Sequence, residues 1–151
     1  MEKLERIIFV GRSGTCREPM AMGILKDLTL KLDVEVLARG LVVSFPEPMN
    51  GKAEAILISN GIALENFTSK ELKNEEITEN TLILTMERSQ REKVLSHYEN
   101  THVENVYVLT DFVGDELEIL DPYGGSLQSY GLCYETLRKS IKKLVKILNQ
   151  E

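Results

Sequence analysis

The sequence predicts an α/β fold: a single domain with a four-stranded parallel sheet and helices on both faces. Short apolar runs alternate along the chain with segments of helical periodicity. Strands that alternate with helices form parallel sheets through right-handed crossover connections. A length of 151 residues suits one well-covered core. Residues 1–151 are therefore predicted to form one domain.

The first strand, loop and helix are the most informative stretch. A continuous apolar run within Arg6–Val10 is typical of a strand buried on both faces. A polar loop with Gly11 and Gly14 follows, and Pro19 suits the first turn of a helix predicted over Glu18–Leu30. Free N–H groups and the helix dipole attract anions at such a helix start. This stretch therefore predicts an anion-binding loop.

The remaining elements repeat the alternation of strands and helices. Apolar or alternating runs predict the later strands, which are 34–39, 82–86 and 106–109. Helical spacing and capping residues predict helices over 51–60, where Asn50 is the cap, and over 91–98. A short helical piece is predicted to begin at Ser69. The last helix has an apolar face, formed by Leu137, Ile141, Leu144, Val145 and Leu148.

Two loops are predicted to meet at one pocket. The loop 11–17 follows the first strand, and the long loop 111–128 follows the fourth. Ligands of parallel α/β sheets bind at the carboxyl ends of the strands, where both loops must lie. Asp121 and Tyr123 are the candidate functional residues of the second loop.

Composition excludes several classes of protein. The net charge is −6, which disfavours a nucleic-acid binder. Two distant cysteines and the lack of a signal peptide predict a cytoplasmic protein without disulfides. No apolar run reaches the roughly 20 residues that span a bilayer, so no membrane association is predicted. No spacing of histidine with acidic or cysteine ligands suggests a metal, and no cofactor is predicted.

The first loop resembles a known phosphate loop. Residues 10–21 read Val-Gly-Arg-Ser-Gly-Thr-Cys-Arg-Glu-Pro-Met-Ala. This stretch is similar to Val-Cys-x-Gly-Asn-x-Cys-Arg-Ser-Pro-Met-Ala of the low-molecular-weight protein tyrosine phosphatase family. The similarity continues at Asn60-Gly61-Ile62, Ser69-x-x-Leu72, Leu82–Met86 and Asp121-Pro122-Tyr123. It covers nearly the whole chain and implies a flavodoxin-like topology. It is strongest to the bacterial branch that acts on phosphotyrosine or phosphoarginine.

The resemblance implies a role for each site residue. Asp121 matches the general acid of the family, and Tyr123 matches a wall of the pocket. Turn chemistry is the alternative explanation of Asp121, because Asp-Pro-x-Gly-Gly favours a turn in any protein. The implied phosphate-binding residues are Arg12, Ser13, Gly14, Thr15, Cys16 and Arg17.

Gly11 stands where the family has its nucleophilic cysteine. Without a thiolate, a cysteinyl phosphate cannot form, so Asp121 is predicted to be a vestigial general acid. Cys16 lies at the opposite end of the loop and is interpreted as a small buried apolar residue. Loss of the thiolate is expected to remove negative charge from beneath the phosphate. Glu18 is expected to pair with Arg12 or Arg17, or to occupy the anion position itself.

Three functions are compatible with these residues. The first is a binding or regulatory module for phosphate or for a phosphorylated tyrosine or arginine. The second is an active phosphoprotein phosphatase with altered machinery, in which Asp121 directs a water molecule. The third is a nucleotide- or flavin-binding domain, for which Gly-x-x-Gly is weak evidence. Arsenate reduction is disfavoured, because the chain has only two cysteines. The sequence does not identify a protein partner.

Overall fold

The computed structural model describes residues 3–150, so residues 1, 2 and 151 of the predicted domain lie outside it. A four-stranded parallel sheet has the order β2-β1-β3-β4. The strands are β1 (Arg6–Gly11), β2 (Glu35–Gly40), β3 (Thr81–Thr85) and β4 (Val106–Val108). The helices are α1 (Arg17–Asp27), α2 (Gly51–Ser59), α3 (Arg88–His97), α4 (Leu109–Val113) and α5 (Leu127–Leu148). One turn of 3₁₀ helix covers Asn74–Glu76.

Both faces of the sheet are covered, as the predicted fold class requires. Side chains alternate along β1, so Ile7 and Phe9 enter one core while Ile8 and Val10 enter the other. The first core lies beneath α1, α2 and α5. The second core receives Val94 from α3, which packs on β3 and β4. The continuous apolar run of β1 thus reflects burial on two sides.

The carboxyl ends of the four strands lie at one edge of the sheet. Gly11, the last residue of β1, lies opposite Gly40, the last residue of β2. The ends of β3 and β4 lie at the same edge. The predicted meeting of the two loops is confirmed, because Arg17 donates to the carbonyl of Ile119 at 2.7 Å.

Several predicted boundaries were wrong. Helix α1 ends at Asp27 rather than Leu30. The piece at Ser69 is not helical, because Glu71 pairs with Gly40 in a parallel bridge. The predicted fourth strand and the loop after it are interrupted by α4, which packs against α5. Tertiary packing, which local periodicity does not report, decides these places.

The capping prediction for α2 is confirmed. The Asn50 side chain accepts hydrogen bonds from the backbone N–H groups of Lys52 and Ala53 at 3.0 and 3.1 Å. These bonds satisfy two of the free donors of the first helical turn. Among the helices of residues 3–150, none has the length and apolar character needed to cross a membrane.

Candidate active site

The loop between β1 and α1 is held against the end of β2. The N–H of Leu41 donates to the carbonyls of Gly11 and Arg12, both at 2.9 Å. A Cβ atom on Gly40 would lie 2.5 Å from the carbonyl carbon of Ser13, so glycine is needed for this approach. Gly14 has φ +76°, the left-handed conformation that glycine adopts without strain. The loop therefore keeps a tight curve through glycine geometry.

The Glu18 carboxylate lies on the floor of this loop. Its Oε1 accepts a hydrogen bond from the N–H of Gly14 at 2.9 Å. A Cβ atom on Gly11 would lie 2.2 Å from Glu18 Oε2 and 2.4 Å from its Cδ. The carboxylate thus fills the space that a side chain at position 11 would need. This is the place of a side chain at residue 11, and it differs from the anion position that was considered for Glu18.

This placement corrects the expected electrostatics of the loop. A thiolate at position 11 is missing, but its negative charge is replaced rather than removed. Burial raises the pKa of Glu18 to about 7, against the opposing influence of Arg17 and of the backbone N–H groups of Glu18 and Gly14. The floor of the loop therefore gains or loses a charge near neutral pH.

Arg17 is fully buried and is bound by groups outside its own loop. Its Nη1 donates to the carbonyl of Ile119, and its Nη2 lies 2.6 Å from Oε2 of Glu87. Asp121 Oδ2 lies 3.8 Å from the same Nη2. Arg17, which was predicted to bind phosphate, thus connects the segments that follow β3 and β4 in this structure.

Sequence reasoning missed Glu87 as a site residue. It follows β3 by two residues and is therefore at the carboxyl edge, which was the available signal. Its backbone N–H donates to the Gln90 side chain at 3.0 Å, at the start of α3. The structure therefore uses Glu87 both to begin a helix and to neutralise a buried guanidinium.

The Arg17–Glu87 pair is expected to matter more for stability than a surface pair of similar chemistry. Glu87→Gln should lower the free energy of unfolding by about 2 kcal/mol, because Arg17 is only 2% exposed and loses its nearer charged partner. Asp111→Asn is the matched control, since the Arg88–Asp111 pair is 58% and 45% exposed. That change should cost at most about 0.5 kcal/mol. Urea denaturation measures both, and equal effects would contradict the assignment.

Asp121 makes the predicted turn contact and also lies beside the loop. Its Oδ1 accepts the backbone N–H of Tyr123 at 3.0 Å, which is the predicted turn chemistry. Its other carboxylate oxygen faces Arg17 at 3.8 Å. The turn therefore holds the carboxylate beside the loop, and the role of a general acid stays a prediction.

A pocket of about 300 Å³ opens above the loop. Its lining brings together the polar residues that the sequence predicted for the site and one further acidic residue, Glu47. The lining residues are Arg12, Ser13, Thr15, Cys16, Arg17, Glu18, Glu47, Asp121 and Tyr123. Glu47 comes from an irregular segment with two prolines, and no sequence pattern indicated it. Tyr123 is 79% exposed and lines this pocket from its outer side.

Neither cysteine is prepared for thiolate chemistry. Cys16 is buried, and burial together with the nearby Glu18 carboxylate raises the pKa of its thiol well above the usual range. Burial also raises the pKa of Cys133 to about 12. Both thiols are free and remain protonated at neutral pH. The interpretation of Cys16 as a small buried residue agrees with this environment.

These features define a class of α/β protein with a polar pocket over the first strand–loop–helix connection, at the carboxyl edge of a parallel sheet. The family model described as low molecular weight phosphotyrosine protein phosphatase matches residues 6–151. The chain belongs to this family, as its loop sequence predicted.

Relatives and solved structures agree with the family model. The chain is 30% identical to the low molecular weight protein-tyrosine-phosphatase PtpB of Staphylococcus haemolyticus, over 92% of this chain and 96% of the relative. It is 30% identical to the protein-arginine-phosphatase of Bacillus subtilis, over 96% and 97%.

The structural neighbours confirm the predicted fold class. One is a cysteine-to-serine mutant of the YwlE arginine phosphatase with a phosphorylated active-site serine. It has a TM-score of 0.88 and 30% identity, and 97% of each chain is covered. Another is the low molecular weight protein tyrosine phosphatase from T. tengcongensis, with a TM-score of 0.88, 31% identity, and coverage of 95% of this chain and 99% of that one.

Proposed function

We propose that this protein recognises a phosphorylated side chain, phosphotyrosine or phosphoarginine, at the loop 11–17, without forming a cysteinyl phosphate. The relatives named as tyrosine and arginine phosphatases support these two ligands. The observation that carries the proposal is the pairing of Gly11 with Glu18, whose carboxylate fills the place of a side chain at position 11. The floor of the loop carries a carboxylate in place of sulfur, and this carboxylate accepts the N–H of Gly14.

Two forms of this function differ in turnover. The first is a binding or regulatory module that recognises the phosphorylated side chain without hydrolysing it. The second is a hydrolase with altered machinery that uses Asp121. The second is favoured by the position of Asp121, which lines the pocket together with Glu18 and lies beside Arg17. The family of phosphatases to which the chain belongs also favours it.

A turnover assay separates the two forms. Release of phosphate from p-nitrophenyl phosphate and from phosphotyrosine and phosphoarginine peptides, lost in Asp121→Asn, supports the hydrolase. Intact substrate with measurable binding supports the module. The two buried free cysteines fit a reducing compartment, and we propose a cytoplasmic location.

Anion binding is the direct test of the proposed function. Phosphate or vanadate at one hundred times its dissociation constant is expected to add about 2.7 kcal/mol to the free energy of unfolding, because it binds only the folded chain. Thermal melting over a concentration series measures this gain. Chloride at equal ionic strength is the control, since it lacks the tetrahedral oxygens. A melting temperature that does not change with any oxyanion at millimolar concentration would refute phosphate recognition.

A further inference from the structure

We propose that Glu18 is the nucleophile of this site: its carboxylate attacks phosphorus and forms a glutamyl-phosphate intermediate. This inference rests on the proposed function in its hydrolase form and names the atom that bonds to phosphorus. Carboxylates serve as phosphoryl acceptors in enzymes that form acyl phosphates. Four features of the site support the assignment: the position, the hydrogen bonding, the basicity and the accessibility of the carboxylate.

Position is the first support. Glu18 approaches the loop floor from the first turn of α1, whereas a nucleophile at position 11 would approach from the end of β1. The two routes end at one place, since the Cβ of a residue at position 11 would lie 2.2 Å from Glu18 Oε2. The carboxylate is thus within a bond length or so of where a side chain at position 11 begins. Gly11 is the residue that leaves this space open.

The hydrogen bonding of the carboxylate orients it. The N–H of Gly14 donates to Oε1 at 2.9 Å, which fixes one oxygen of the group. The other oxygen, Oε2, is the one beside position 11. The residue is 2% exposed, so its side chain is held by packing as well as by this bond. A fixed nucleophile avoids the entropy of positioning at the moment of reaction.

The basicity of the carboxylate suits a nucleophile that works near neutral pH. The pKa of Glu18 is raised to about 7 by burial and by Asp121, against the opposing influence of Arg17 and two backbone N–H groups. A more basic carboxylate is a better electron-pair donor than an ordinary one. Cys16 also faces Glu18, but its thiol is neutral at this pH. Arg17 and Asp121 are therefore the charges that set the ionisation of Glu18.

The pocket gives a phosphoryl group access to Glu18. Glu18 lines the same 300 Å³ space as Asp121 and Tyr123. Arg12 also lines it and offers a cation for the phosphoryl oxygens. A phosphorylated side chain that enters past Tyr123 therefore reaches the carboxylate of Glu18 below it and the carboxyl group of Asp121 beside it.

The reaction balances in two steps. An electron pair of Glu18 Oε2 forms a bond to phosphorus, the bond from phosphorus to the tyrosine oxygen or arginine nitrogen breaks, and the leaving atom takes a proton from Asp121. A water molecule then attacks phosphorus and gives a proton to the Asp121 carboxylate. The acyl-phosphate P–O bond breaks, which restores the Glu18 carboxylate and releases inorganic phosphate. The sum is hydrolysis of one phosphoryl group by one water.

Trapping the intermediate tests this assignment. The Asp121→Asn variant is mixed with p-nitrophenyl phosphate, whose phenolate leaves without an acid, while the second step lacks its base. We expect one phosphoryl group per chain by intact mass after an acid quench, located on Glu18 by peptide mapping and removed by hydroxylamine. The matched control is Asp121→Asn/Glu18→Gln, which keeps the shape of the side chain and should carry none.

Each outcome decides between the inference and the proposed function. Vanadate-dependent melting is measured on the same samples and shows that they are folded and bind oxyanions. Binding without an adduct, or an adduct on another residue, overturns the nucleophile assignment alone. Failure of the wild-type chain to bind any oxyanion overturns the proposed function and this inference with it. Mapping of the adduct in the Asp121→Asn chain is decisive even where the double variant does not fold.

Discussion

The variant Gly11→Cys/Glu18→Ser is expected to hydrolyse p-nitrophenyl phosphate through its new thiol. Iodoacetate should abolish this hydrolysis. The iodoacetate-sensitive rate should exceed the hydrolysis rate of the single variant Glu18→Ser by at least about 10³-fold, because that variant has neither a thiol nor a carboxylate at the floor of the loop. Serine removes the group that lies 2.2 Å from the Cβ of residue 11, so the new side chain fits. The loop amides and the α1 N-terminus then favour the thiolate.

The single variant Gly11→Cys is the critical control. Its Cβ atom collides with the Glu18 carboxylate, so the variant should be less stable and should show little thiol-dependent turnover. The unfolding free energies of the wild type, the two single variants Gly11→Cys and Glu18→Ser, and the double variant form a double-mutant cycle. The expected coupling between positions 11 and 18 is about 2 kcal/mol. Additive effects would show that the carboxylate does not occupy the space above Gly11.

Stability is expected to fall between about pH 4.5 and pH 7 through the titration of Glu18. Its pKa rises from 4.5 to about 7 in the folded chain, so the folded state holds this proton more tightly than the unfolded state. The stabilisation that comes from protonated Glu18 is complete below pH 4.5 and is lost as the pH rises through 7. The total loss attributable to Glu18 is about 3 kcal/mol. Urea denaturation at a series of pH values measures it.

Glu18→Gln separates this effect from the titration of other groups. The variant has no proton to lose at position 18, so the difference in unfolding free energy between wild type and variant should change by about 3 kcal/mol over this pH range and then level off. Phosphate-free buffers are required, because a bound anion would add its own stabilisation. A constant difference across the range would mean that Glu18 titrates normally and is not desolvated.

Much of the architecture was predictable from short patterns. The apolar run of β1, the glycines after it and Pro19 identified the loop before any contact was known. The strand ends placed Asp121 near this loop, since parallel strands share one carboxyl edge. The capping role of Asn50 also depends on residues close in sequence. Such features follow from local geometry, which is why a sequence pattern reports them.

The content of the site was less predictable. Glu18 could pair with an arginine or enter the loop, and only the packing of α1 against β1 put its carboxylate above Gly11. Arg17 matched a phosphate ligand in sequence, yet in the structure it binds Glu87 and the carbonyl of Ile119. These partners lie far along the chain, and no local pattern specifies which of several acids is nearest.

The amino-acid sequence by itself determined the family, the sheet, the glycine-containing loop after β1 and the lack of a nucleophilic thiol at position 11. Those features depend on residue identity and on short-range periodicity. Tertiary structure alone decided that a carboxylate takes the vacated place, that its pKa rises to about 7, and that Glu87 holds Arg17. Burial and distance set the energy of a charge, and both exist only once the chain has folded.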